Sequence, residues 1–114
     1  MAAPVLNRPF KEIHEEALTA AREAFTEAFA RIGNKDNYPC GFAWVNVSGV
    51  KLSTKLGKEF ASIGFRKSYY GGIELWNPSG ASVQNMDVKY AAAVAYAAVL
   101  RKYDISAFAS ERLD

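Results

Sequence analysis

One cysteine, one histidine and a net charge of only +2 in 114 residues exclude a good deal of chemistry at once. Cys40 has no second cysteine, so the chain holds no internal disulfide, and nothing in its cysteine usage calls for an oxidising compartment. His14 has no second histidine, and neither residue stands at metal-ligand spacing with another, so no metal site is expected. The small net charge does not by itself call for a polyanion partner. Long apolar runs are missing as well. The longest, Tyr90–Leu100, is eleven residues, where a bilayer span needs about 20. The first residues lack the charged start and apolar core of a signal peptide. A cytoplasmic protein with no membrane partner is the expectation.

What is present reads as one globular domain over 1–114. Half of the residues are hydrophobic and 23% are charged, enough apolar content to build a core at this length. The charge is uneven. Residues 41–69 carry Lys51, Lys55, Lys58, Arg66 and Lys67 against Glu59 alone, while the segments on either side are each slightly acidic.

Phe10, Ile13, Ala17, Leu18, Ala21, Ala24, Phe25, Ala28, Phe29 and Ile32 recur at three- and four-residue steps, with charged residues opposite. That spacing predicts an amphipathic helix of about six turns within 1–33, opened by Pro9 and stopped by Gly33-Asn34. After Cys40 the period changes in the order strand, helix, strand, strand, helix, strand. Phe42–Ser48 alternates as a strand. Ser53 or Thr54 caps a short helix that turns Leu56, Phe60 and Ile63 inward and ends at Gly64. Gly71-Gly72 is a two-residue hairpin signal, and pairing about it places Lys67, Tyr69, Glu74 and Trp76 on one face. Asn77–Gly80 is a turn, and Asn85 caps a helix that is apolar around its whole circumference between Tyr90 and Leu100. Ile105–Ser110 is a last strand, followed by a polar tail.

The expected fold is therefore α+β: an N-terminal helix, then a βαββαβ core over 41–110 in the ferredoxin-like arrangement, an antiparallel sheet with helices packed on it. The stripe of the first helix needs a cover, and the free face of the sheet is the nearest apolar surface. The all-apolar last helix must also be buried on more than one side, by another helix or by a second subunit.

No catalytic constellation emerges, and no enzyme is expected. His14 on an apolar flank reads as structural, Cys40 beside Pro39 as an inert thiol, and nothing orients the two as a pair. An enzymatic reading would have to rest on His14, Cys40 or Glu74. Gly57-Lys58 lacks the preceding glycine of a phosphate-binding loop. Two features suggest binding instead. Lys51, Ser53, Thr54, Lys55 and Lys58 gather where a strand gives way to a helix, and free N–H groups, hydroxyls and ammonium groups there suit a small anionic ligand. The competing reading is a simple cap with solvated lysines. The aromatic group Phe42, Trp44, Tyr69, Tyr70 and Trp76 lies on three strands, and with Arg66 and Lys67 it would suit nucleic acid or a nucleotide. The competing reading is a core, or a face roofed by the first helix. The RNA-recognition module shares the element order, but Tyr69-Tyr-Gly-Gly-Ile73 does not carry its third-strand motif.

Several phrases are familiar as a set: Cys40-Gly-Phe-Ala-Trp-Val45, Gly64-Phe-Arg-Lys67, Gly71-Gly72, Leu75-Trp-Asn-Pro-Ser-Gly80, Val83-Gln84 and Ala109-Ser-Glu-Arg-Leu-Asp114. Together they resemble small proteins of tailed bacteriophages and prophages for which no activity is established. The resemblance implies a viral setting in a host cytoplasm and transfers no functional residue. The leading expectation is a non-enzymatic accessory binding protein without a cofactor, its partner itself (a homo-oligomer) or another protein. The alternative is a nucleic-acid or nucleotide-binding module using the basic helix start and the sheet aromatics.

Overall fold

The structure is a computed structural model that describes residues 7–36, 39–68 and 71–113. Helix α1 spans Phe10–Arg31, strand β1 Gly41–Val47, helix α2 Lys55–Ser62, strand β2 Arg66–Lys67, strand β3 Ile73–Trp76, helix α3 Met86–Lys102 and strand β4 Ala107–Leu113. The four strands form one sheet in the order β2-β3-β1-β4, with every neighbouring pair antiparallel. The architecture is α+β.

Local chemistry explains most boundaries. Gly33 and Asn34 take left-handed φ values of 74° and 57° and stop α1. The Thr54 hydroxyl accepts from Gly57 N at 3.0 Å and opens α2. Asn85 Oδ1 accepts from Val88 N at 3.1 Å and opens α3, with Asp87 in its first turn and Arg101 and Lys102 in its last.

Alternation along β1 sorts the sheet into two faces. Ala43, Val45 and Val47 point inward with Ile73 and Ala107, and all are buried. They meet Phe60 and Phe65 and the α3 residues Ala92, Ala93, Tyr96, Ala97 and Leu100 in one core. The first helix does not roof the sheet. It packs along the outer side of α3, burying Ile13, Ala17 and Ala21 in that same core. Small side chains explain the choice. Alanines on both α1 and α3 let two helix backbones approach closely, and α3 is apolar all round, so it offers more complementary surface than the sheet. The pair is antiparallel. Near its start α1 is tied to the end of α3, where Lys102 Nζ donates to Glu16 Oε2 at 2.7 Å and the Tyr103 hydroxyl to Glu16 Oε1 at 2.6 Å. Lys102 and Tyr103 together hold the Glu16 carboxyl below its usual range.

Two expectations are corrected at the strands. Pairing Arg66↔Glu74 and Lys67↔Ile73 differs by three residues from the register that a Gly71-Gly72 turn implies. An odd shift exchanges the faces. Arg66, not Lys67, therefore shares a face with Glu74 and Trp76. The reason lies at Gly72, whose carbonyl accepts from Ser68 N at 3.0 Å while its backbone presses on β1. A Cβ there would lie 2.5 Å from Val47 O. Tyr69 and Tyr70 lie outside the described residues. The expected polar tail is instead strand: β4 runs to Leu113, because β1 offers a partner along its full length from Val47↔Ala107 to Gly41↔Leu113.

Candidate functional site: the outer face of the sheet

With α1 on α3, no described helix lies over the outer face of the sheet. Cross-strand register arranges that face in rows. Arg112 faces Phe42 in the first row. Ser110, Trp44 and Trp76 form the second. Phe108, Asn46, Glu74 and Arg66 form the third. The strands set the lateral spacing at about 4.8 Å, so Arg112 and Arg66 mark opposite corners about 20 Å apart.

The rings interact with one another. Trp44 and Trp76 stack with centroids 4.5 Å apart and planes 14° from parallel, and Phe42 meets Trp76 edge-on at 5.8 Å. Phe108 is 53% exposed. Trp44 Nε1 donates to Asn46 Oδ1 at 3.1 Å, and Asn46 Nδ2 donates to Ser110 Oγ at 2.8 Å. This short relay fixes the amide and carries the polar pattern from β1 to β4. Trp76 Nε1, by contrast, is buried and has no hydrogen-bond partner among the described residues. Cations flank the rings. The Arg112 guanidinium sits 5.5 Å from the Phe42 centroid, and Lys89 Nζ lies 5.6 Å from the same ring while donating to Gly41 O at 2.9 Å. Arg66 is exposed. Glu74 is the one acid in these rows.

Of the residues expected to meet nucleic acid, the structure brings together Trp44, Trp76 and Arg66. It places Lys67 on the opposite face and leaves Tyr69 undescribed. Phe108, Arg112 and Lys89 join the face unforeseen. Their signal was available in part, because extending the last strand past Ser110 brings Arg112 onto the face of Phe108.

At the basic start of α2 the Thr54 hydroxyl is engaged within the chain. Thr54 spends its oxygen on Gly57 N and its proton on Lys51 O at 2.6 Å. Gly57 is buried against the backbone of residues 51 and 52, with a Cβ there only 2.6 Å from the Leu52 Cα. Ser53, Lys55 and Lys58 are exposed. Lys51, also exposed, lines a cleft of about 230 Å³ with Lys67, Val50, Leu52, Gly72 and Ile73.

The three residues on which catalysis would rest do not assemble. The His14 ring meets the fully buried Tyr96, Nδ1 lying 2.7 Å from the phenol oxygen, on the helical side of the sheet. Burial lowers the imidazole pKa and raises that of the phenol. Glu74 lies on the outer side. Cys40 is a half-buried free thiol in an isolated bridge with Asn85. Among the described residues no group of three or more His, Cys, Asp or Glu could hold a metal ion, and no helix is long and apolar enough to cross a membrane. No protein-family model, curated protein or solved structure matches this chain.

Proposed function

We propose that this chain is a binding module that holds single-stranded nucleic acid on the outer face of its sheet. One observation carries the reading: α1 packs on α3, leaving Phe42, Trp44, Trp76 and Phe108 uncovered by any described helix, with Arg66, Arg112 and Lys89 around them. Aromatic rings accept any base by stacking, worth about 1–3 kcal/mol per base, and cations at the margins track phosphates. Three cations against Glu74 give the face a positive balance. Its span of about 20 Å accommodates several nucleotides. Catalysis has no part in this reading, because His14 and Glu74 lie on opposite sides of the sheet.

The reading takes the fold as ferredoxin-like. The βαββαβ order after α1 and the strand order β2-β3-β1-β4 support that assignment. The resemblance of most of residues 38–114 to small proteins of tailed phages supports a viral setting and a host-cytoplasm location.

Both tryptophans of the chain sit on the face, so their fluorescence reports directly on it. Titration with a mixed-sequence single-stranded DNA or RNA oligonucleotide at low salt should quench the emission, and the affinity should fall steeply as salt rises. Unchanged emission together with no complex in a mobility assay would overturn the proposal.

A further inference from the structure

We infer that β4 is a self-association edge, pairing antiparallel with β4 of a second copy about a two-fold axis at Ser110. This does not depend on the nucleic-acid reading, since it rests on the backbone edge of β4; it engages Phe108 and Arg112 at the margin and leaves Phe42, Trp44 and Trp76 on the outer face open.

The backbone pattern sets the argument. Ser48 N donates to Ser106 O at 2.9 Å, so the even-numbered residues of β4 direct their N–H and C=O groups to β1. The odd residues Ala107, Ala109, Glu111 and Leu113 direct theirs away from the sheet. Arg101 Nη1 donates to Ala107 O at 2.8 Å and occupies one of these outward carbonyls. Ala109 and Glu111 remain as the central outward pair. The opposite edge of the sheet, β2, is only two residues long, whereas β4 is seven and offers the longer template for strand addition.

Self-complementarity chooses the occupant. A two-fold axis at Ser110 sets Ala109 opposite Glu111 of the second copy, and both residues of that pair present outward groups, so each exchanges both backbone hydrogen bonds. The same register sets Phe108 opposite Arg112 of the second copy, repeating across the edge the cation-over-ring contact that Arg112 already makes with Phe42. It also covers Phe108 and Leu113, which are 53% and 64% exposed, more than any other large apolar side chain among the described residues. A two-fold axis at Glu111 would oppose two like charges, which disfavours that neighbouring register. The product is one continuous eight-stranded sheet.

The register is testable by position. In this arrangement the two Ser110 residues form a non-hydrogen-bonded pair, close enough for a disulfide. In a Cys40→Ser background, Ser110→Cys oxidised with excess glutathione disulfide should run as a covalent dimer. Phe108→Cys and Arg112→Cys, each alone, should not. Sedimentation of the unaltered chain across a hundredfold concentration range should show a species of twice the chain mass. Ala109→Pro, which removes an outward N–H and leaves the β1 ladder intact, should shift it to monomer while circular dichroism holds. A strict monomer over the whole range, or efficient cross-linking at residue 108 rather than 110, would overturn the inference.

Discussion

Trp44 and Trp76 stand directly opposite each other on β1 and β3 with their rings stacked at 4.5 Å, yet their indole N–H groups meet opposite fates. Trp44 Nε1 is bonded to Asn46, and Trp76 Nε1 is buried without a partner among the described residues. A buried unmet donor costs about 1–3 kcal/mol. Trp76→Phe removes that cost along with some packing area, whereas Trp44→Phe loses area and strands Asn46 Oδ1. We therefore expect Trp44→Phe to destabilise the fold more than Trp76→Phe, by about 1 kcal/mol, in urea unfolding. The reverse order would mean that Trp76 Nε1 finds an acceptor in solution.

Charge on the outer face should govern salt dependence. Arg66→Ala and Arg112→Ala should each make the plot of log affinity against log salt shallower, by about 0.7 per lost phosphate contact on a single strand. Lys55→Ala and Lys58→Ala, on exposed positions of α2, should leave the slope unchanged. Equal effects from the two pairs would move the binding surface to the start of α2.

His14 is the chain's sole histidine, so a single imidazole titration curve can be followed by NMR. Burial is the largest cause of its lowered pKa. The buried phenol oxygen of Tyr96 lies 2.7 Å from Nδ1, and in the tautomer where the phenol donates, protonating that nitrogen leaves the phenol proton unpaired. The folded value lies below the unfolded value of about 6.5, so the unfolded chain binds the proton more readily between them. Stability from this contact is then complete above about pH 6.5 and is lost as pH falls through the folded value. The curve should centre below 6.5, and the urea midpoint should drop on the acid side. A midpoint above 6.5 would contradict the buried contact.

Two glycines separate crowding from backbone strain. Gly57→Ala adds a methyl into the backbone of residues 51 and 52, and the helix-propensity gain of about 1 kcal/mol does not offset such a clash. Loss of about 2 kcal/mol or more is expected. Gly33→Ala meets nothing within 4 Å but must hold φ at +74°, a cost of about 1 kcal/mol. Thermal unfolding of the two variants should rank them in that order.

Local features of the chain were legible because they depend on neighbours in sequence. Helix α1 with its Gly33-Asn34 stop, the Thr54 and Asn85 caps and the inward set Ala43, Val45 and Val47 all follow from periodicity and short-range hydrogen bonding. The order of elements follows from the same signals. Three decisions lay beyond them. Gly71-Gly72 reads locally as the centre of a turn, but the approach of Gly72 to Val47 O moves the register by three and turns Lys67 away from the aromatic face. Residues 111–113 read as a polar tail, and only the length of β1 makes them strand. The stripe of α1 shows that it must be covered and not by what. Apolar burial is non-directional, so close packing between two alanine-rich helices decided that α1 covers α3, and that choice left the outer face of the sheet open.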